Sequence, residues 1–316
     1  MIKLERYNKN PLITPKKNNP WEAEAVFNPG VIKIKDKIYI IYRAMDKENT
    51  STLGLAITTD GFNIDERLDA PIYIPRREFE GVIQTTMNKG CEDPRLTILG
   101  DKIYMCYTAA GVKSIRVGFT SIKVEDFLKG RWEKWDEPIL LSPPVPLDKD
   151  ACLLEKLVNG KYVFFHRISS NITIDFVDNL DFRNFGWIMG KEFMKIRHDK
   201  WDSDRIGIAG PPIYTKEGWV LIYHGRSKFD NYYRLGAALL DKEDPAIVLS
   251  RLDYPILEPE ENYEKIGRTN NVVFSCGQVI LDGKLLVYYG GADMVTCVAT
   301  CNFDDLLSEL VKLKTI

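Results

Sequence analysis

One short pattern recurs five times along this chain, and it restricts the possible folds more than any other feature of the sequence. Each copy consists of a turn, an alternating aromatic and aliphatic strand and then a polar residue, at a spacing of roughly 60 residues. The five copies are KDKIYIIYRAMD (35–46), GDKIYMCYTAAG (100–111), NGKYVFFHRISS (159–170), KEGWVLIYHGRS (216–227) and DGKLLVYYGGAD (282–293). In our alignment of these copies, the aromatic position is occupied by Tyr42, Tyr107, His166, His224 and Tyr289.

The segments around the copies indicate an all-β fold. An apolar strand precedes each copy, and another follows each of the first four, with Gly, Asp and Asn turns between them and no long amphipathic helix. Short strands in this arrangement favour antiparallel sheets over βαβ units. We therefore predict a five-bladed β-propeller that occupies residues 1–316 as a single domain. The C-terminal FDDLLSELVKLKTI differs, because its apolar residues at helical spacing predict a short helix capped by Asp304 or Asp305.

The charge balance restricts the partners of the chain. Its 43 basic and 45 acidic residues give a formal charge of −2 and are spread along the sequence. We therefore expect no field that would hold nucleic acid or an anionic membrane. The N-terminal segment lacks the apolar region of a secretory signal, and no run of about 18 apolar residues could span a bilayer. We expect a cytoplasmic protein with a small-molecule substrate; a homo-oligomer formed through the Trp21 region or the terminal helix stays open.

The six cysteines include no CxxC pair, and most of them lie in apolar runs such as IYMCYT and VTCVATC. This pattern indicates buried reduced thiols and argues against a disulfide framework or a metal site. We expect the protein to require no metal and no cofactor.

Functional residues are expected where the repeats diverge, because the innermost strands of a propeller surround one central channel. Just beyond the aligned aromatic position, the copies carry Arg43, Thr108, Arg167, Gly225 and Gly290. A structural repeat has no packing reason to place arginine at two of these positions. The difference predicts that charge is collected at one mouth of the channel.

The segment GCEDPRLTILG places Glu92, Asp93 and Arg95 at the start of an innermost strand. An aspartate beside an arginine can simply anchor a turn. However, the sequence also places Asp46 and Asp293, with two arginines, around the same channel. A cluster of desolvated charges in a cleft is typical of sites that shift carboxyl pKa values, and it favours a catalytic role for Asp93.

Basic and donor groups from the third and fourth repeats suggest an anion site. Two of the three histidines, His166 and His224, occupy equivalent positions in our alignment, and His224 precedes a Gly-Arg pair at a strand end. Arg205 lies ahead of a glycine-rich turn, where the backbone can approach a ligand closely. The set Arg167, Arg205 and His224 suits a phosphate, which favours forked guanidinium contacts.

Taken together, the motifs FNPGV, YRA, EDPR, DKDA, HR, RIGIAGPPI, YHG, NNVVF and YYGGAD resemble glycoside hydrolase family 130, the β-mannoside phosphorylases and related mannosidases. The resemblance runs from about residue 27 to Asp293. It implies a five-bladed propeller and an inverting phosphorolysis, in which a β-mannoside and inorganic phosphate give α-mannose 1-phosphate and a shortened sugar. β-1,2-Linked mannobiose or oligomannan is our preferred substrate, and β-1,4-linked mannosides come next.

The resemblance also implies roles for individual residues. Asp93 would be the sole protein acid, and its proton would reach the glycosidic oxygen through a sugar hydroxyl. Inverting hydrolases need a second carboxylate to activate water, whereas a phosphorylase uses a cationic pocket for its anionic nucleophile. Phosphate would be held by Arg167, Arg205 and His224. The mannosyl unit would be held, together with Asp93, by Asn28, Arg43, Asp46, Arg95, Lys149, Asp150 and Asp293.

Two segments depart from the family pattern. The third repeat begins with DKDA where the family commonly has NKDA, which leaves the role of Asp148 open. The loop at residues 75–89 has no recognisable pattern and directly precedes the EDPR motif, so it is a candidate for shaping the acceptor site.

Two other functions remain as alternatives. One is a propeller glycosidase of the furanosidase and fructosidase type, which needs a carboxylate at the start of the first blade, where this chain has FNPG. The other is a sugar-binding propeller without chemistry. That function would favour similar residues in every blade, whereas here the channel positions differ from blade to blade.

Overall fold

The computed structural model describes residues 1–81, 89–111 and 115–314, and it confirms the predicted five-bladed β-propeller with a short C-terminal helix. The chain begins with β1 (Glu5–Arg6), a two-residue strand that belongs to the last blade. Blade 1 comprises β2 (Ala25–Ile34), β3 (Lys37–Met45), β4 (Thr50–Thr58) and β5 (Glu66–Arg67). Blade 2 comprises β6 (Lys89–Leu99), β7 (Lys102–Ala110), β8 (Ile115–Lys123) and β9 (Ile139–Leu140).

The remaining blades follow in chain order. Blade 3 comprises β10 (Asp148–Leu153), β11 (Tyr162–Ile168), β12 (Asn171–Val177) and β13 (Lys191–Met194). Blade 4 comprises β14 (Arg205–Ile208), β15 (Ile213–Thr215), β16 (Gly218–Arg226), β17 (Tyr233–Leu240) and β18 (Val248–Arg251). Blade 5 comprises β19 (Val273–Leu281), β20 (Lys284–Gly291) and β21 (Val295–Asn302).

Short helical segments connect the strands. They are α1 (Val124–Leu128), α2 (Phe182–Phe185), α3 (Asn262–Lys265), α4 (Phe303–Lys312) and three 3₁₀ turns at Pro20–Glu22, Glu78–Glu80 and Trp132–Lys134. In the part of the chain that the structure describes, no helix has the length and apolarity needed to cross a membrane. All six cysteines are free thiols, and five of them are buried.

The ring of blades is closed by the two ends of the chain. Strand β1 pairs antiparallel with β21, so the N-terminal segment adds a strand to the last blade. Blades 1 and 2 are joined by a short parallel pairing of β4 with β6. The C-terminal helix α4 buries Phe303, Leu306 and Leu310 in the apolar core that blades 4 and 5 share. Its N-cap is Asn302, whose side chain accepts a hydrogen bond from the backbone of Asp305 at 2.9 Å, and not Asp304 or Asp305 as the sequence suggested.

Strand register corrects our alignment of the fourth repeat by one residue. Tyr42, Tyr107 and Tyr223 each lie opposite a glycine on the next strand of their blade. A Cβ atom on any of these three glycines would come within 3 Å of the tyrosine ring, so the pairing is a packing requirement. The aromatic position of blade 4 therefore belongs to Tyr223, and our placement of His224 there is wrong. His224 instead shares the position of Arg43, Thr108, Arg167 and Gly290.

The innermost strands of blades 1, 2 and 3 carry a β-bulge at one equivalent place. The register shifts between Phe27 and Gly30, between Glu92 and Arg95, and between Lys149 and Cys152. The residues at these bulges with positive φ are Asn28 (48°), Asp93 (54°) and Asp150 (58°). Asn and Asp tolerate this left-handed conformation better than other residues with a Cβ atom. Bulges and strained backbone of this kind are concentrated at functional sites, where they re-aim side chains.

Candidate active site

Asp93, the predicted acid, is held by donors from the neighbouring blade. The residue is buried, with 4% of its surface exposed. Asn28 Nδ2 donates to Asp93 Oδ1 at 2.9 Å, and Arg43 NH1 donates to the same oxygen at 3.2 Å. Both donors belong to blade 1, whereas the acid belongs to blade 2. Because both bonds are made to Oδ1, Oδ2 is the oxygen better suited to transfer a proton.

The Arg43 guanidinium links several groups at this boundary. Its NH2 donates to Glu92 Oε1 at 2.7 Å, its Nε donates to Ser51 Oγ at 2.9 Å, and the guanidinium lies 4.7 Å from the centre of the Phe27 ring. Burial raises the pKa of Glu92, and the guanidinium opposes that rise. Arg43 therefore orients two adjacent carboxyl groups, Glu92 and Asp93.

Asp150 is the centre of a second cluster, which joins blades 2, 3 and 4. Arg167 NH1 lies 3.0 Å from Asp150 Oδ2, and His224 Nε2 lies 3.3 Å from the same oxygen. Arg95 NH2 donates to Asp150 Oδ1 at 3.4 Å. Burial alone would raise the pKa of Asp150, but the positive charge of Arg167, the close contact with the His224 ring and the positive charge of Arg95 outweigh it and hold the pKa well below its usual range. Asp150 is therefore an ionised anchor for two of the three predicted phosphate ligands.

The His224 ring is enclosed by apolar and charged groups. It lies against the Phe274 ring at a centroid distance of 4.1 Å, and Gly207 on β14 leaves room for the ring edge. Burial, assisted by Arg167 and Arg95, lowers the pKa of His224 to about 4 despite the opposing effect of Asp150. Within the described residues, neither ring nitrogen makes a hydrogen bond of good geometry. His224 is thus a neutral, buried imidazole with unused hydrogen-bonding capacity.

Arg205, the third predicted phosphate ligand, lies at the more exposed edge of this cluster. Its Nε donates to Asp204 Oδ2 at 2.8 Å, and Arg226 NH1 donates to the same oxygen at 3.1 Å. Arg205 also forms a hydrogen bond with Tyr233, whose pKa is raised by burial and lowered by Arg205 and Arg167. The Tyr233 hydroxyl therefore lies in the positive field of two predicted phosphate ligands.

Lys149 and Asp293 lie on the side of the site that contains Glu92 and Asp93. Asp293 has a φ of 54° and forms a hydrogen bond with the Thr269 side chain. Burial raises the pKa of Asp293, and the positive charges of Arg43 and Lys149 oppose this rise. Lys149 acts on Glu92 in the same direction. A cavity of about 390 Å³ opens here, lined by Phe27, Arg43, Met45, Arg268, Thr269 and Asp293.

Two predicted substrate ligands, Arg95 and Asp46, make hydrogen bonds that stabilise the protein itself. Each guanidinium nitrogen of Arg95 donates to protein acceptors, which include the backbone carbonyls of Asp93, Ile208 and Ala209. Asp46 Oδ1 accepts hydrogen bonds from the backbone of Glu48 at 2.9 Å and of Thr50 at 2.8 Å, and so shapes the turn between β3 and β4. Direct sugar contacts of Arg95 and Asp46 remain predictions.

Several residues at the site were missed from the sequence. Phe274 occurs in the NNVVF motif without any sign of its contact with His224. Tyr233, Arg268 and Thr269 lie outside the repeated segments, so no alignment of repeats would find them. Arg268 NH2 donates to Asn49 Oδ1 at 2.8 Å and connects blade 5 to the hairpin turn of blade 1. Of the loop at 75–89, residues 82–88 lie outside the described residues.

The opposite end of the channel has a different character. A pocket of about 260 Å³ is lined there by residues 31–33, 96–98, 155, 211–213 and 278–280, drawn from all five blades. In blades 1, 2 and 3 these lining residues follow the bulge of their own innermost strand, so they lie towards the opposite end of that strand. The predicted site residues lie at the other mouth, where the clustered charges are. We therefore place the candidate active site at the mouth that contains Asp93 and Asp150.

Comparison with known proteins gives consistent matches over nearly the whole chain. The family model of glycoside hydrolase 130, described as β-1,4-mannooligosaccharide phosphorylase, matches residues 3–312. A 1,2-β-oligomannan phosphorylase from Thermoanaerobacter sp. (strain X514) is 41% identical, over 97% of this chain and 99% of its own length. A β-1,2-mannobiose phosphorylase from the same organism is 40% identical, over 93% of this chain and 95% of its own length.

A solved structure of a phosphorylase also matches this chain over nearly its whole length. The β-1,2-mannobiose phosphorylase from Listeria innocua, in complex with β-1,2-mannobiose, has a TM-score of 0.82 and 26% identity to this chain. The match covers 98% of this chain and all of that protein's chain, at 100%.

Proposed function

The chain belongs to glycoside hydrolase family 130, and on this premise we propose that it catalyses the inverting phosphorolysis of β-1,2-linked mannobiose or oligomannan. Inorganic phosphate is the second substrate, and the products are α-mannose 1-phosphate and a sugar shortened by one mannosyl unit. The preference for the β-1,2 linkage is supported by the names of the two Thermoanaerobacter relatives and of the Listeria innocua structure. The description of the family model keeps the β-1,4 linkage as the alternative.

One observation carries the proposal of phosphorolysis. Arg167 from blade 3 and His224 from blade 4 approach a single oxygen of Asp150 at 3.0 and 3.3 Å. His224 is buried, and within the described residues its two nitrogens lack hydrogen bonds of good geometry. Buried polar groups are normally hydrogen-bonded, so an unsatisfied imidazole beside a guanidinium favours an anionic ligand. Phosphate fits this position, with Arg205 at its more exposed side.

The cluster around Asp93 and the cluster around Asp150 have different roles in the proposed reaction. A phosphate oxygen attacks the anomeric carbon of the mannosyl unit while the bond to the leaving sugar oxygen breaks. Asp93 supplies the proton that the leaving oxygen acquires, through a hydroxyl group of the sugar. Because phosphate is already an anion, no protein base is needed to activate it. Asp150 is a poor base in any case, since its pKa is held well below the usual range.

The mannosyl unit is proposed to occupy the cavity beside Asp93. The hydrogen-bonding groups that line it are Arg43, Arg268, Thr269 and Asp293, and Phe27 supplies an apolar face. The positive charge of Lys149 acts on Asp293. Mixed polar groups with an aromatic surface suit a sugar, whose hydroxyls and ring faces differ in polarity. Phosphate is the co-substrate, and we propose that no cofactor takes part. We also propose a cytoplasmic location.

The proposal is tested by supplying β-1,2-mannobiose with and without phosphate and measuring mannose 1-phosphate and free mannose. We expect mannose 1-phosphate to form only with phosphate, in equal amount to the released sugar. Release of two mannoses at the same rate without phosphate would show a hydrolase instead. The reverse reaction, with mannose 1-phosphate and a panel of acceptors, would identify the linkage from the product.

A further inference from the structure

A buried histidine in blade 3 is held between two carboxylates. His166 Nδ1 lies 2.8 Å from both carboxylate oxygens of Asp148, and its Nε2 lies 2.7 Å from Asp175 Oδ2. The three residues belong to the adjacent strands β10, β11 and β12. The His166 side chain is fully buried, and the Asp148 side chain is nearly so. Both ring nitrogens face carboxylate oxygens, so both donate when the two carboxylates are ionised, and the ring is then a charged imidazolium.

The other four blades use a different group at this position. Each has a tyrosine whose hydroxyl donates to a buried carboxylate, in the pairs Tyr42–Glu22 (2.8 Å), Tyr107–Glu80 (2.6 Å), Tyr223–Asp202 (2.9 Å) and Tyr289–Glu264 (2.8 Å). Burial raises the pKa of all four tyrosines, so their hydroxyls keep their protons in ordinary buffers. Of the five equivalent positions, blade 3 alone carries a group whose charge changes in an accessible pH range.

Blade 3 is also the blade that supplies Arg167 and Asp150. His166 directly precedes Arg167 on β11, and Asp148 lies two residues before Asp150 on β10. The pairing of Lys149 with Arg167 sets the two strands side by side at this point. On the other side, the Thr173 hydroxyl donates to the His166 carbonyl at 3.1 Å, and Asp175 accepts from the Gly190 backbone at 2.9 Å. The charged triad therefore ties together three strands next to the proposed phosphate ligands.

We infer that His166, clamped by Asp148 and Asp175, is a positioning residue that holds Arg167 and Asp150 in the geometry needed to bind phosphate. The inference rests on the proposed function and gives Asp148, whose role the sequence left open, a definite partner. Deprotonation of His166 removes one donor and leaves two carboxylates around a neutral ring. The strands that carry Arg167 and Asp150 then lose their common anchor, and phosphate affinity falls.

The charged groups that act on His166 are Asp148 from β10 and Asp175 from β12, and Asp150 in turn acts on Asp148. Burial alone would lower the pKa of His166, but its hydrogen bonds to Asp148 and Asp175 outweigh this effect and raise it to about 9. The effect on phosphate binding should therefore appear on the alkaline side, where phosphate is already dianionic and does not itself titrate.

The test combines two measurements on the full chain. The ring signals of His166 are followed by NMR against pH, and phosphate binding is followed by calorimetry between about pH 8 and 10. We expect His166 to titrate near pH 9 and phosphate affinity to fall over the same range. In Asp148→Asn, both transitions should move to lower pH by at least about one unit, because one of the two carboxylates is lost. Tyr289→Phe, the matched change in blade 5, should leave both transitions where they are.

Kinetics separate positioning from a general structural effect. Asp148→Asn should raise the KM for phosphate at pH 8 several-fold with little change in kcat, whereas a partly unfolded enzyme would lose kcat. Titration of His166 at an ordinary pKa, or phosphate affinity that stays constant while His166 loses its proton, would overturn the inference. If wild-type protein forms no mannose 1-phosphate from any β-mannoside, the proposed function fails. The NMR and calorimetric results then still decide whether His166 controls anion binding.

Discussion

Arg43 NH1 donates to Asp93 Oδ1 at 3.2 Å across the boundary between blades 1 and 2, so the proposed acid is oriented by a blade other than its own. Asn28, also from blade 1, donates to the same oxygen. The arrangement makes the reactive geometry depend on how adjacent blades pack. The contribution of several blades to one site also explains why the repeats differ at their channel positions. A single asymmetric reaction centre needs a different group from each blade.

Asp93→Asn is expected to abolish turnover in both directions, because the amide cannot supply the proton to the leaving oxygen. A lost general acid typically costs about 10²- to 10⁴-fold in rate, so kcat for phosphorolysis and for synthesis should both fall by at least that range. Initial rates of mannose 1-phosphate formation and consumption measure this. Thermal unfolding serves as the control, since Asn can still accept hydrogen bonds from Asn28 and Arg43. A variant that keeps more than a tenth of wild-type kcat would argue against Asp93 as the acid.

Arg167→Ala should weaken phosphate binding far more than mannoside binding. Loss of hydrogen bonds to a charged group costs about 1.5–3 kcal/mol, which corresponds to a rise of roughly 10- to 100-fold in the KM for phosphate. Steady-state kinetics with each substrate varied in turn provide the measurement. Arg183→Ala, an exposed change in the same blade, is the matched control. Equal increases in KM for phosphate and for the mannoside would contradict the assignment.

Arg268→Ala is predicted to alter acceptor use in the synthetic direction. Arg268 is an exposed residue at the rim of the cavity proposed for the mannosyl unit and donates to Asn49 Oδ1, so we expect it to border the side from which an acceptor sugar approaches that unit. Removing this side chain should relax the preference among acceptor sugars while leaving the KM for phosphate within about twofold, since the proposed phosphate ligands belong to blades 3 and 4. Product analysis with a panel of mannose and glucose acceptors reports the effect. Lys284→Ala, an exposed change in blade 5, should leave the acceptor profile unaltered.

The stability of the fold should depend on pH through His166. Its pKa is raised from 6.5 in the unfolded chain to about 9, so the stabilisation is complete below pH 6.5 and is lost as pH rises through 9. A difference of that size corresponds to at most about 3–4 kcal/mol. In urea unfolding, the gap in free energy between wild type and Asp148→Asn should therefore be largest near pH 6 and shrink above pH 9. A gap that is constant from pH 6 to 10 would show that the charge of His166 has no part in it.

The fold was predictable from the sequence because each blade of a propeller repeats the same strand pattern along the chain, and most residues of the candidate site could be proposed from the same repeats and from short motifs. The repeats predicted the blades, the divergence beyond the aromatic position singled out Arg43 and Arg167, and the segment GCEDPRLTILG singled out Asp93. The error at His224 arose because a histidine resembles the aromatic residue beside it, whereas strand register, set by the glycine opposite Tyr223, assigns the position without ambiguity.

Other features of the site depend on contacts between blades that no local pattern records. The equivalent bulges at Asn28, Asp93 and Asp150 could not be recognised from the sequence. The three segments NPG, DPR and DAC share little beyond an Asn or Asp residue. The contact of Phe274 with His224 joins residues that are 50 positions apart in separate blades. Arg95 donates mostly to backbone carbonyl groups. Every residue has such a group, so the sequence does not indicate which carbonyl groups accept these hydrogen bonds.

Gly207→Ala offers a test of the phosphate cluster that removes no charged group. Gly207 has an ordinary backbone conformation, so alanine brings no dihedral strain, but its Cβ would lie 2.4 Å from both Asp150 Oδ2 and His224 Nε2. One of these side chains must move, which separates the groups that are proposed to bind phosphate. We expect the KM for phosphate to rise by about tenfold or more, since a misplacement of about 1 Å can cost that much or more. Ile206→Val, a small change in the core of the same strand, is the control, with an expected cost of about 0.5–1.5 kcal/mol in stability and no effect on the KM for phosphate. Wild-type phosphate kinetics in Gly207→Ala would mean that phosphate does not bind where Asp150 brings His224 and Arg167 together.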